Sequence, residues 1–183
     1  MNASVDRRSL TEAQPASEGG TELLLWILVW SEFVVFGALL GAFLLLSALD
    51  PLALATLHRA LDPNLAGIAT AVLLTSGCFA ACAAFGRHPR RNLVAAALGG
   101  LVFCGLKIAA FAQELPALAA MEGRLAELYP LIVGFHFAHV LFVAGLLLLV
   151  AWRPTPRHVA AVATIWHLID LIWLLILPVV YLG

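Results

Sequence analysis

Six side chains stand where their chemistry would be felt: Glu32, Lys107, His136, His139, His167 and Asp170. Each is embedded in a long apolar run, and a charged group at mid-bilayer costs about 2.5–3.5 kcal/mol on insertion scales. Such residues ask for a partner or a task. Their types suit proton exchange, because a carboxylate beside an imidazole can hold a proton, orient the ring or neutralise it. His167 and Asp170, three apart between Trp166 and Trp173, are neighbours on one helix face. With Glu32 they make a proton relay on one reading. On the other they are a static buried pair that fixes helix register.

Other chemistries find less support. A bis-histidine haem needs two opposing ligands at one level, yet His139 and His167 differ by roughly 7 Å in expected depth at 1.5 Å per residue. No HExxH, GxGxxG, phosphate loop or nucleophile elbow occurs, so nothing points to an autonomous hydrolase or nucleotide enzyme. Cys78, Cys82 and Cys104 all lie in apolar runs without CxxC spacing. They read as small packing residues and give neither a disulfide framework nor a zinc signature.

The elements that position these residues follow from composition. The 183 residues are 63% hydrophobic and 11% charged, with mean hydropathy +1.00. Soluble domains carry roughly 25% charged residues, and disordered chains need the opposite bias. A bilayer is the expected solvent. Five runs are long enough to cross it as helices, at about 22–48, 65–86, 92–113, 128–152 and 159–182. A β-barrel would need alternating segments of about ten residues, and none occurs. The expectation is an all-α bundle of five transmembrane helices behind a polar arm at 1–21, with the first run a retained helix rather than a signal peptide.

Lysine and arginine bias orients the bundle. Arg7, Arg8, Arg87, Arg90, Arg91, Arg153 and Arg157 fall on one side, and only Arg59 and Arg124 on the other. The N-terminus is therefore expected in the cytoplasm and the C-terminus in the periplasm, with the longer loops 49–64 and 114–127 outside. Net charge is −1, which offers no field to recruit nucleic acid. Gly37 and Gly41 form a GxxxG face in the first span, and Ser76, Gly77, Ala80 and Ala81 make the second small-sided. Such faces let helices approach closely in lipid, within the chain or against a partner. Glu32, His167 and Asp170 share a level, Glu32 about 15 Å in from the cytoplasmic end. Lys107 falls near the outer end of the third span, at the depth of His136, where it can snorkel outward.

The same residues resemble subunit III of the haem-copper oxidases, in order along residues 22 to 183. Trp30-Ser31-Glu32 with Phe36 is similar to that family's first retained helix with its buried glutamate. Asn64 and Leu73-Leu74-Thr75-Ser76-Gly77 resemble the next segment. Gly134-Phe135-His136-x-x-His139-Val140 resembles the G-x-H-x-x-H-V signature, and Trp166-His167-x-x-Asp170-x-x-Trp173 the terminal WHxxDxxW motif. Five spans resemble the bacterial branches, either the quinol-oxidase form or the E-type subunit encoded with nitric oxide reductase. Gly105-Leu106-Lys107 with Phe111 is similar to the second of these. Ala110 stands where the family typically carries glutamate, so no role of that carboxylate transfers.

The resemblance implies a non-catalytic, multi-pass subunit of the bacterial inner membrane that carries no redox cofactor of its own. It implies bound phospholipid, and haem and copper in a catalytic subunit I against which the chain packs. It implies support for assembly and proton uptake in aerobic or denitrifying electron transport. Glu32, His136, His139, His167 and Asp170 are then structural or proton-linked, and none is a metal ligand. The competing expectation from another class is a small proton-coupled transporter using Glu32, His167 and Asp170.

Overall fold

A computed structural model describes residues 14–182, so residues 1–13 of the expected arm lie outside the described residues. The chain divides into two units, residues 1–35 and 36–183. The helices are α1 (Gln14–Leu49), α2 (Pro51–Ala60), α3 (Pro63–Ala84), α4 (Pro89–Ala120), α5 (Arg124–Trp152) and α6 (Pro156–Leu177). A π-helical turn, Pro178–Leu182, follows α6. Among the described residues there is no strand. Five of the helices, all but α2, are long and apolar enough to cross a membrane, as the hydropathy predicts.

Local sequence explains where the helices begin. Proline stands at the start of α2, α3, α4 and α6, where its missing N–H costs nothing and its fixed φ suits the first turn. Before three of these prolines a short polar side chain accepts from the open backbone. Asp50 Oδ1 takes the Ala53 N–H at 2.9 Å, Asp62 Oδ1 takes that of Asn64 at 2.9 Å, and Thr155 Oγ1 takes that of His158 at 3.3 Å. Between α3 and α4 the chain reverses through Gly86 at φ +76°, a conformation that glycine adopts without steric cost.

In the second unit α3 pairs with α4, α4 with α5, and α6 closes the bundle against both α3 and α5. Lipid gives no hydrophobic drive between helices, so close packing must hold them. Small residues supply it. A Cβ on Gly99 would stand 2.6 Å from Ser76 Cβ, and Ser76 Oγ donates across the same seam to the Ala96 carbonyl at 2.7 Å. A Cβ on Gly100 would run into the ring of Trp166, which is fully buried. Ser76 thus serves packing within the chain. Among the described residues nothing stands within 4 Å of the Cβ that Gly37 or Gly41 would carry.

Two segments depart from the sequence reading. Residues 49–64, expected as a loop, contain α2, whose Leu57 is fully buried and whose His58 Nε2 meets the Val180 carbonyl at 3.1 Å. The third span was expected to end at 113, before Pro116, but α4 continues through that proline to Ala120. Proline is tolerated inside membrane helices when neighbouring helices hold the segment. Here Glu114 is hydrogen-bonded to Tyr129 of α5, one half-turn before the proline.

Candidate functional site

Lys107 lies inside the bundle, only 4% exposed, which corrects the expectation that it snorkels outward. Its Nζ donates to Tyr181 Oη at 2.6 Å. The Tyr181 and Tyr129 hydroxyls are 3.0 Å apart, and Tyr129 donates to Glu114 Oε2 at 2.5 Å. With the Tyr129 proton committed to Glu114, Tyr181 must donate to Tyr129. The donors therefore run one way, from ammonium through two phenols to carboxylate. Such an aligned chain polarises itself and strengthens each bond. The Lys107 ammonium also sits 5.1 Å from the Tyr181 ring centroid and 5.4 Å from that of Trp173, within cation–π range. A charge that would be costly alone is compensated inside the protein, and has no need to reach the interface.

Glu114, Tyr129 and Tyr181 were not anticipated. Glu114 is seven residues beyond Lys107, two turns along the same helix face. Ending the span at 113 hid that relation. Tyr129 and Tyr181 stand near the ends of apolar runs, where tyrosine is commonplace in membrane proteins.

His136 occupies an aromatic cage. Its ring stacks on Trp173 with centroids 5.2 Å apart and meets Phe103 and Phe36 edge-on at 5.9 and 6.2 Å. It is 1% exposed, and neither ring nitrogen has a hydrogen-bond partner among the described residues. Trp173 is held from the other side, its Nε1 donating to Thr70 Oγ1 at 2.8 Å. His139, one turn on, lies near the surface with Nδ1 2.8 Å from the Phe135 carbonyl. Its ring meets Phe135 at 4.5 Å and Phe36 at 5.9 Å.

His167 and Asp170 are brought together, but they are not equally buried. The Asp170 side chain is 7% exposed and that of His167 is 47%, which corrects the expectation that both are interior. The reason is helical geometry: Trp166, Asp170 and Trp173 share the inward face of α6, while His167 falls with Leu171 and Leu174 on the outward one. His167 Nδ1 is 3.6 Å from Asp170 Oδ2, within ion-pair range and too long for a direct hydrogen bond. Asp170 Oδ2 presses on Gly77 of α3, so closely that a Cβ there would collide with it. Gly77 thus makes room for the carboxylate. Glu32 belongs to the first unit, His167 and Asp170 to the second. Among the described residues no three His, Cys, Asp or Glu side chains gather as a metal site would require.

The described residues form a multi-pass bundle of five apolar helices around these polar side chains. No family model matches the sequence. Similarity to individual proteins is more telling. The chain is 31% identical over 205 aligned positions to cytochrome c oxidase subunit 3 of Bacillus subtilis, covering 97% of both chains. It is 28% identical over 176 positions to the probable quinol oxidase subunit 3 of Staphylococcus haemolyticus, covering 88% of each. The chain belongs to the subunit III family of the haem-copper oxidases, and is a multi-pass bacterial membrane protein.

Proposed function

We propose that the chain is the non-redox subunit III of a respiratory oxidase, packed against a haem- and copper-bearing subunit I that it helps to assemble and keep supplied with protons. The observation that carries this reading is the full-length likeness to cytochrome c oxidase subunit 3. The internal geometry agrees with it: His136 and Trp173, from the two most specific motifs, are spent on each other and on Thr70. Residues so enclosed serve a scaffold. Glu32, His167 and Asp170 are on this reading the groups through which the subunit exchanges protons, and phospholipid fills its outer grooves. On this reading the N-terminus is cytoplasmic and the C-terminus periplasmic, which the arginines of the N-terminal arm and of the turns after α3 and α5 support.

A nitric oxide reductase is the second candidate host, carried by the segment Gly105-Leu106-Lys107 with Phe111. The test is purification of the tagged chain from its own membranes in mild detergent, followed by a haem spectrum. Co-purification of a larger haem-bearing subunit, with oxygen consumption by the complex, supports the oxidase reading. Nitric oxide reduction by that complex would move the subunit to the second host. A free chain that carries protons alone in liposomes would instead be a transporter.

A further inference from the structure

Three hydrogen bonds in series join Lys107 to Glu114 through the phenols of Tyr181 and Tyr129. All four side chains are at most 7% exposed. Each phenol accepts from one neighbour and donates to the next, so protons can pass down the row without a side chain changing place. The two ends are seven residues apart on α4, about 10 Å along the helix axis at 1.5 Å per residue.

As an ion pair the row is incompletely served at both ends. A carboxylate offers roughly four acceptor sites, yet Glu114 Oε1 has no hydrogen-bond partner among the described residues. An ammonium carries three donors, yet Lys107 Nζ forms one hydrogen bond among the described residues. Full charges so sparsely bonded are costly in a low-dielectric interior. An amine that accepts from Tyr181 and a carboxylic acid that donates to Tyr129 avoid that cost, and the bare Oε1 becomes an uncharged carbonyl. The rings of Tyr181 and Trp173 beside Nζ act the other way and favour the ammonium.

We propose that this row is a proton-sharing site, in which a proton passes between Lys107 and Glu114 by way of the two phenols. One N–H bond of Lys107 breaks as its proton joins Tyr181 Oη, the Tyr181 proton moves to Tyr129 Oη, and the Tyr129 proton moves to Glu114 Oε2. Ammonium and carboxylate become amine and carboxylic acid. Both phenols end as neutral phenols, no electron is transferred, and the net charge is unchanged. The chain thereby holds an internal proton relay separate from Glu32, His167 and Asp170. The inference goes beyond the subunit reading and is independent of which complex hosts the chain.

The test is infrared spectroscopy of the tagged chain, purified in mild detergent with whatever subunits it retains. Subtracting the spectrum of Glu114→Gln isolates the carboxylic acid C=O stretch of Glu114, and two further variants set its limits. Lys107→Met removes the cation and is expected to leave Glu114 wholly an acid. Lys107→Arg keeps a cation that does not release its proton, and is expected to leave Glu114 a carboxylate. The unaltered chain is expected between them, with about 10% or more of the Lys107→Met intensity and short of all of it. Should Lys107→Arg fail to fold, Glu114→Gln still supplies the zero. After a temperature jump the band is expected to relax to a new intensity, and Tyr181→Phe, which cuts the path, to slow that relaxation by about tenfold or more. A band absent from the unaltered chain, or as strong as in Lys107→Met, overturns the sharing. Relaxation unchanged in Tyr181→Phe overturns the path through the phenols.

Discussion

Lys107 Nζ lies 2.6 Å from the phenol oxygen of Tyr181, so the interior of α4 is tied to the last turn of the chain. Tyr181 belongs to the π-helical turn after α6, and the bond makes that short terminal element part of the core. Through Tyr129 the same network reaches Glu114 and pins α4 to α5 beyond the proline at 116. One row of four polar side chains thus holds α4, α5 and the π-helical turn together.

Breaking that row at one point leaves an uncompensated buried charge, which costs about 3–5 kcal/mol. Glu114→Gln is expected to destabilise the detergent-solubilised chain by that order. Lys107→Met combined with Glu114→Gln is expected to recover much of the loss, because it removes both charges. Thermal unfolding of the two single variants and the double variant measures the coupling. Additive losses would contradict a shared network.

The glycines divide into two kinds. Gly77→Ala and Gly100→Ala place a methyl group against Asp170 and Trp166 respectively. Each is expected to cost about 1–3 kcal/mol, the usual penalty of overpacking a tight interior. Gly37→Ala and Gly41→Ala meet open space, and are expected to leave the isolated chain as stable or to gain up to about 1 kcal/mol of helix propensity each. Melting temperatures in detergent separate the two pairs.

His136 sits in its cage without a hydrogen bond to either nitrogen among the described residues. A buried polar group without partners is a liability that an apolar ring of similar shape removes. His136→Phe is therefore expected to be neutral or stabilising by up to about 2 kcal/mol, despite its place in a signature motif. By contrast Thr70→Val, which strands the Trp173 indole N–H, is expected to lose about 1–3 kcal/mol. A thermal shift in the wrong direction for His136→Phe would show that the imidazole has work to do in the assembled protein.

The architecture was legible because period and length suffice to mark membrane helices. Asp50-Pro51, Asp62-Pro63 and Thr155-Pro156 read in the sequence as breaks between apolar runs, and in the structure each is the start of a helix. The polar interior was less legible. Lys107 was expected to snorkel because depth along its own helix says nothing of which neighbours it meets. Its partners Tyr129 and Tyr181 lie 22 and 74 residues away in sequence. The 3.6-residue period predicts that His167 and Asp170 lie near one another, and they do. It does not tell which of the two turns outward, since that depends on where α3 and α5 pack around α6.

Affinity purification of the tagged chain from native membranes in mild detergent, followed by an absorbance spectrum, tests the central claim most directly. A larger haem-bearing subunit is expected to co-purify, with the haem bands assigned to that partner once the two are separated. A chain that purifies free of any haem-bearing subunit, and drives proton flux alone in liposomes, would contradict the assignment of this protein as an oxidase subunit.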